Sequence, residues 1–469
     1  MEVKEVFEKS GIIPRPGQVE AAEALARVNG DALLVAPTGF GKTLTVLAAV
    51  KAKQMVPVLW LVRSLQVGRR VSGDAFRVNL KPFIAAGRGK TCNLKDPSED
   101  VDEYCRLYRA VCPFFTELVR EGVKGVAYSW EDIPSHVCRY YAQDAFILSS
   151  DVVVQNYRRR VTGSYSCVVV DEAHNLVKPQ VWEVKIARLE EAVDELATLS
   201  PELFKNIRGA VGEREGILDV RLREIAEELL EIYREALARR RTTKLLTLAK
   251  LVKAAQRGAV VYKEENKLQV YFPPWRPIVE PRIYVSATIP EELEKLFNAT
   301  VIKVPVHPRP AIVTEDLTSK YGEETIWGYY RLFSYLKKKY QRIIAFATDR
   351  IALKLIPVVE YFEEMPPPDW RGVAMFNIYG RFAEGIDLPA EAVVIVGAPF
   401  LPPEVTERIR KYYERLGLNP DAAQWVPMVT ATLQAIGRAT RNPEARPQIV
   451  LADYRFRRYS KFFMPYLEY

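Results

Sequence analysis

The chain has 469 residues, 48% hydrophobic and 27% charged, with 67 Lys plus Arg against 59 Asp plus Glu and a net charge of +8. This length supplies core for about two to four domains. No run of about 18 apolar residues exists, which excludes a helical membrane span, and Met1-Glu-Val-Lys-Glu-Val-Phe7 lacks the apolar stretch of a secretory signal, so a cytoplasmic protein is expected. A basic excess suits a polyanionic partner without requiring one. Five cysteines in an intracellular chain favour metal or redox chemistry. The usage is thermophile-like, with only three His, and hyperthermophiles keep intracellular disulfides, so pairing stays open.

In chain order, the apolar run 31–36 predicts a strand entering the loop Ala36-Pro37-Thr38-Gly39-Phe40-Gly41-Lys42-Thr43. Thr43–Val50 reads as a helix and Val56–Val62 as the next strand. Strand, loop, helix and strand in this order predict a parallel sheet with crossover helices. Residues 88–145 interrupt it: they are polar, carry Cys92, Cys105, Cys112 and Cys138, and show neither helical nor strand periodicity. Cys167–Val170 predicts a buried strand, with Cys167 as core, ending at Asp171-Glu172-Ala173-His174. In 181–270, Leu222, Ile225, Leu229, Leu230, Tyr233 and Leu237 recur at steps of three and four, which predicts amphipathic helices. The sheet resumes at Arg282-Ile-Tyr-Val-Ser286-Ala-Thr288. From about 303 a second α/β unit is expected, with strands at Ile343–Ala347 and Val393–Val396. No internal repeat is present.

The glycine-rich loop lets backbone N–H groups turn to phosphates; Lys42 supplies a cation and Thr43 a hydroxyl for Mg²⁺. Ala36 stands where the strict pattern has its first glycine. Asp171 and Glu172 face opposite ways unless the strand ends there. Asp171 is expected to order Mg²⁺ and Glu172 to activate the attacking water. In Gln434-Ala-Ile-Gly437-Arg438-Ala-Thr-Arg441, steps of four and three put Gln434, Arg438 and Arg441 on one helix face, where two arginines suit the charge that develops in phosphoryl transfer. A merely basic surface helix would leave Gly437 as an unexplained helix penalty.

Together with Arg15-Pro-Gly-Gln18, Leu61-Val-Arg63-Ser64 and Gly380-Arg381-Phe-Ala-Glu384-Gly385-Ile-Asp387, these segments resemble the XPD family of superfamily two DNA helicases, in an archaeal form. The resemblance implies two RecA-like parallel-sheet motor domains, the first interrupted by an iron–sulfur cluster insertion and a helical arch. The expected boundaries are 1–87, 146–178 and 273–302 for the first motor, 88–145 for the cluster domain, 179–272 for the arch and 303–469 for the second motor. By resemblance Gln18 reads adenine, His174 and 286–288 sense the γ-phosphate, and Glu384, Gly385 and Asp387 couple nucleotide to DNA. The cysteine gaps fit neither zinc nor ferredoxin spacing, so from spacing alone zinc, a cluster, disulfides and free thiols all remain. The resemblance implies a 4Fe–4S cluster on Cys92, Cys105, Cys112 and Cys138, the last followed by Tyr140 and Tyr141.

A motor on single-stranded nucleic acid needs cations and stacking rings. The candidates are Arg63, Arg88, Lys90, Arg139, Tyr140, Tyr157, Arg158, Tyr379 and Arg381. The expected protein is a monomeric, ATP- and Mg²⁺-dependent 5′ to 3′ helicase on single-stranded and forked DNA, acting in repair. Its competitors are a damage-verification subunit whose ATPase is a conformational switch, and an RNA helicase. No spare carboxylate cluster suggests a nuclease. At 469 residues the arch is compact for the family.

Overall fold

The computed structural model describes all residues except 95–99, 213–216, 241–242, 265, 274, 276, 288, 306–307, 381–387, 440–445, 464–466 and 469, and the backbone alone at 209–212, 217–220, 240, 292, 438 and 439. The chain divides into two compact units, one of Met1–Met55, Val169–His174 and Glu280–Tyr469, the other of Val56–Val168 and Asn175–Val279.

The first ten strands are β1 (Ala32–Val35), β2 (Val58–Val62), β3 (Pro82–Ala85), β4 (Val152–Asn156), β5 (Cys167–Val170), β6 (Val181–Lys185), β7 (Val260–Lys263), β8 (Lys267–Tyr271), β9 (Arg282–Ser286) and β10 (Thr300–Lys303). Seven of them form one sheet in the order β10-β1-β9-β5-β2-β4-β3, with parallel ladders between β1 and β9, β1 and β10, β2 and β4, and β3 and β4. Residues of β1, β2 and β5 are buried throughout, including Cys167. Unbroken apolar runs are what a parallel sheet covered on both faces requires.

A second seven-stranded sheet lies wholly in the first unit. Its strands are β11 (Arg309–Val313), β12 (Arg342–Ala347), β13 (Tyr361–Phe362), β14 (Gly372–Asn377), β15 (Ala392–Val396), β16 (Gln448–Ala452) and β17 (Leu467–Glu468), in the order β13-β14-β12-β15-β16-β11-β17 with every adjacent pair parallel. Alternation along β12 sends Ile344 and Phe346 to one face, against Met428, Val429, Leu433 and Ile436 of helix Ala422–Ala439. Ile343, Ala345 and Ala347 go to the other, against Tyr329, Phe333 and Leu336 of helix Ile326–Lys339.

Two expectations are corrected in the second unit. Residues 88–145 are helical, with Arg88–Thr91, Val101–Tyr108, Pro113–Glu121 and Arg139–Leu148. Helices this short fall below the window in which a 3.6-residue period shows, and Pro113–Glu121 has no buried residue at all. Residues 181–270 are helical only over Ile186–Gln256; β6, β8 and β7 add a three-stranded antiparallel sheet. Charged residues such as Glu183, Lys185, Lys263 and Lys267 on these short strands hide the alternation. The expected helical stripe packs as read: Leu222, Leu229, Leu230, Tyr233 and Leu237 are buried, and Ile225 lies against them. Glu103 of the 88–145 segment is tied to this core by Arg234 Nε at 2.9 Å and Lys253 Nζ at 2.9 Å.

Candidate nucleotide site and nucleic-acid surfaces

Within the first unit the chain leaves β1 and turns through Gly39 and Gly41, at φ +85° and +90°. Only glycine adopts these values without strain, and they aim successive N–H groups into one concavity. Helix Lys42–Ala52 begins at once, adding the positive end of its dipole. Lys42 Nζ lies back over the loop, donating to the carbonyls of Ala36 (3.1 Å) and Pro37 (3.3 Å). Thr43 is half-buried in the first turn and Phe40 is buried beneath the loop. Gln18 is buried; its Oε1 accepts from the Arg15 N–H (2.7 Å) and its Nε2 donates to the Gly41 carbonyl (3.1 Å). The Arg15 guanidinium donates to the Gly39 carbonyl. In this structure the side chain expected to read adenine braces the phosphate loop.

β5 ends at Val170, so the alternation that would point Asp171 and Glu172 apart lapses. Glu172 takes φ +51°, a left-handed conformation that costs a non-glycine residue about 1–2 kcal/mol, and its N–H donates to Asp171 Oδ1 at 2.9 Å. Such strain is characteristic of functional positions. Glu172 Oε2 stands 3.3 Å from His174 Nδ1, and the same nitrogen is 2.9 Å from Ser286 Oγ at the end of β9. His174 Nε2 meets the side-chain amide of Gln434 on helix Ala422–Ala439. The imidazole thus meets Glu172 and Ser286 on its Nδ1 side and Gln434 on its Nε2 side. Ser286 in turn accepts at its carbonyl from the Ala36 N–H (3.1 Å). A continuous polar path therefore runs from Gln434 through His174 and Ser286 to the first residue of the phosphate loop.

Gly437 is explained by the same helix. A Cβ at this position would stand 2.9 Å from Thr38 Oγ1, so only glycine lets the helix approach the loop this closely. The Arg438 side chain, and Arg441, Asp387, Glu384, Gly385, Arg381 and Thr288, lie outside the described residues. Mg²⁺ uses one or two carboxylates and keeps waters and phosphate oxygens for the rest, so Asp171 and Thr43 suffice in type.

All four insertion cysteines are half-buried, and among the described residues none is joined to another by a disulfide. Cys92 follows the turn Arg88–Thr91; Cys112 and Cys138 immediately precede helices Pro113–Glu121 and Arg139–Leu148; Cys105 lies within Val101–Tyr108 with its Sγ 3.9 Å from the Tyr141 hydroxyl. Burial pushes the Cys138 thiol up, the N–H groups of Tyr141 and Tyr140 oppose that, and Cys112 and Cys105 add to the rise. Cys112 and Cys105 both lie near enough to Cys138 to act on its thiol. Among the described residues, however, no group of three or more His, Cys, Asp or Glu side chains is gathered closely enough to hold a metal ion. The donor set fits a thiolate-ligated centre in residue type, not in placement.

The nucleic-acid candidates divide by what they touch. Arg63 is exposed at the end of β2, and Tyr379 is 45% exposed, its hydroxyl donating to the Pro399 carbonyl. Arg88 is engaged by Asp102 (2.6 Å) and the Tyr141 hydroxyl (3.1 Å), and its guanidinium lies 4.3 Å from the Tyr140 ring centroid. Arg159, which sequence reasoning passed over, lies 5.9 Å from the same ring, so Tyr140 meets cations rather than standing open for a base. Tyr157 is buried and stacked on Trp275 at 6.0 Å. Arg139 donates to the Ile133 carbonyl (2.7 Å) and Arg158 to Gln180 (3.1 Å), while Lys90 is exposed.

Residues 330–468 match the family model of a helicase C-terminal domain, and residues 11–199 that of the type III restriction enzyme res subunit. No curated protein matches in sequence. Among solved structures, one described as an XPD helicase superposes with a TM-score of 0.69 at 18% identity, covering 98% of this chain and 98% of its own. Xpd4 of S. tokodaii gives 0.63 at 18% identity over 95% and 97%, and an apo XPD structure 0.61 at 17% over 96% and 98%. At such identities the likeness is one of fold. The chain therefore has the fold of these XPD structures, and its residues 330–468 match a helicase C-terminal domain.

Proposed function

We propose that this protein is a monomeric, ATP-dependent DNA helicase that moves 5′ to 3′ on a single strand, opens forked duplex and serves in DNA repair. The observation that carries this reading is the link of Glu172, His174 and Gln434, which joins the hydrolytic carboxylate to a helix of the second sheet. Hydrolysis is useful to a motor only if the state of the γ-phosphate changes what a second structural element does. Bound Mg²⁺–ATP supplies the phosphoryl group. Backbone N–H groups of the loop 36–43 and Lys42 hold its phosphates, Thr43 and Asp171 hold the cation, and Glu172 orients water. His174 holds Glu172 and reports through Gln434. Arg438 and Arg441 take the developing negative charge, and Asp387 couples to the strand. Arg63, Arg88, Tyr379 and Arg381 line the strand's path.

Residues 1–87, 146–178 and 273–302 would be the first motor, 88–145 the cluster domain, 179–272 the arch and 303–469 the second motor. Cys92, Cys105, Cys112 and Cys138 would hold a 4Fe–4S cluster, whose ligation would supply folding free energy to a segment with little apolar core.

The test is strand displacement by the pure protein on forks with a 5′ or a 3′ single-stranded arm, beside ATPase with DNA or RNA. ATP-dependent displacement from the 5′-armed fork, with hydrolysis stimulated by DNA, is expected. DNA-stimulated hydrolysis without displacement would replace unwinding by a verification switch. Stronger stimulation by RNA would overturn the DNA assignment.

A further inference from the structure

We propose that the outward face of helix Ile326–Lys339 is a second contact for single-stranded nucleic acid, separate from the nucleotide site. The helix buries Tyr329, Phe333 and Leu336 against the second sheet. Its other face should be ordinary solvated surface. Instead Trp327 is 78% exposed and Tyr335 61% exposed, with Arg331 between them and Lys338 beyond. With Tyr330 and Ser334 these side chains line a shallow concavity of about 410 Å³. The Trp327 and Tyr330 rings meet edge-on at 5.3 Å, which holds the indole by its neighbour without a stacked partner.

The charge on this face is uncompensated. The helix sequence, IWGYYRLFSYLKKK, contains no acidic residue. Neighbouring cations are paired, Lys337 with Glu360 at 2.5 Å and Arg350 with Glu324, whereas Arg331 and Lys338 make no ion pair among the described residues. Trp327 to Lys338 spans about 16 Å at 1.5 Å per residue. Ring, cation, ring and cation in line, without side-chain amides to read base edges, is the chemistry of sequence-tolerant single-strand binding. Duplex offers such rings no open base.

Position argues for a separate site. Helix Ile326–Lys339 lies on the opposite face of the second sheet from helix Ala422–Ala439, which carries Gln434 and Gly437. The contact rests on the DNA-motor reading only in that a single strand must be at hand; it would hold strand that has left the path through the motor.

Two surface variants, W327A/Y335A and R331Q/K338Q, test it by anisotropy of labelled oligo-dT of increasing length at several salt concentrations. Longer oligomers should bind about tenfold more weakly to W327A/Y335A, the shortest that bind should be unaffected, and ATPase without DNA should stay at the wild-type rate. In R331Q/K338Q the salt slope for long oligomers should fall in magnitude by about 1.4, about 0.7 for each phosphate that is no longer neutralised. Wild-type affinity and slope in both variants would overturn the proposal. So would a polyglutamate peptide that binds the wild type, fails to bind both variants and leaves oligo-dT binding unchanged, since the face would then dock acidic protein. Failure of the wild type to bind oligo-dT of any length would instead overturn the DNA-motor reading, and this second site with it.

Discussion

Gly437→Ala separates stability from activity at a single carbon. In the interior of a helix the change gains about 1 kcal/mol of helix propensity. Against it, the new Cβ would lie 2.9 Å from Thr38 Oγ1 and 3.6 Å from Thr38 Cβ. Relief requires about half an ångström of movement, through a turned Thr38 side chain costing about 0.5–1.5 kcal/mol or through a shift of the loop. The two effects nearly cancel, so the melting temperature should move by only a few degrees. Catalysis has no such compensation. Thr38 sits in the phosphate loop and Gln434, one turn earlier on the helix, holds His174. Misplacement by about 1 Å can cost about a hundredfold in rate, so half of that should lower the ATPase kcat about tenfold. Steady-state ATPase with and without oligo-dT, beside calorimetry, reads both quantities. Thr38→Ala in the same background should restore part of the loss, giving a coupling energy of about 1 kcal/mol in the double-mutant cycle. Wild-type kcat in Gly437→Ala, or a melting temperature lowered by more than about 6 °C (about twice the 2–4 °C that 1 kcal/mol produces in a unit of 150–250 residues), would refute this account.

Ser286→Ala should leave the fold and ATP affinity intact, since it removes one hydroxyl, yet lower DNA-stimulated hydrolysis about tenfold; equal loss with and without DNA would remove the coupling role. His174→Ala should cost more than Ser286→Ala, because it also frees Glu172 and Gln434. Burial acts to raise the Glu103 carboxyl, but Arg234 and then Lys253 outweigh it and hold the group below its ordinary 4.5. A depressed carboxylate stabilises the fold above the unfolded-state value and loses that contribution as pH falls through the folded-state value. Glu103→Gln should therefore cost about 1–3 kcal/mol at pH 7 and progressively less as pH falls below the ordinary 4.5, by chemical denaturation across that range; a loss that does not shrink with falling pH would contradict it. Cys138→Ser should abolish visible absorbance near 400 nm in anaerobically prepared protein and lower strand displacement more than ATPase; a colourless wild type would remove the iron–sulfur assignment.

What the sequence by itself determined is what short-range physics controls. The glycines at 39 and 41 specify left-handed turns, and the uninterrupted apolar runs of β1, β2 and β5 specify buried parallel strands, whatever surrounds them. The phosphate loop, the carboxylate pair and the helical stripe of 222–237 were legible for that reason. The tertiary structure decided what lies far apart in the chain. His174 meets Ser286 across 112 positions and Gln434 across 260, and no local pattern announces either meeting. Gly437 reads as a helix defect until Thr38 is seen against it. The insertion helices and the β6-β8-β7 sheet were hidden because their short, charged elements owe their form to packing rather than propensity. Nor does the sequence show the neighbours that the ring candidates take, Trp275 against the buried Tyr157 and Arg88 against Tyr140. Residue type states what a side chain is able to bind; only the folded backbone decides whether that chemistry faces solvent or its own core.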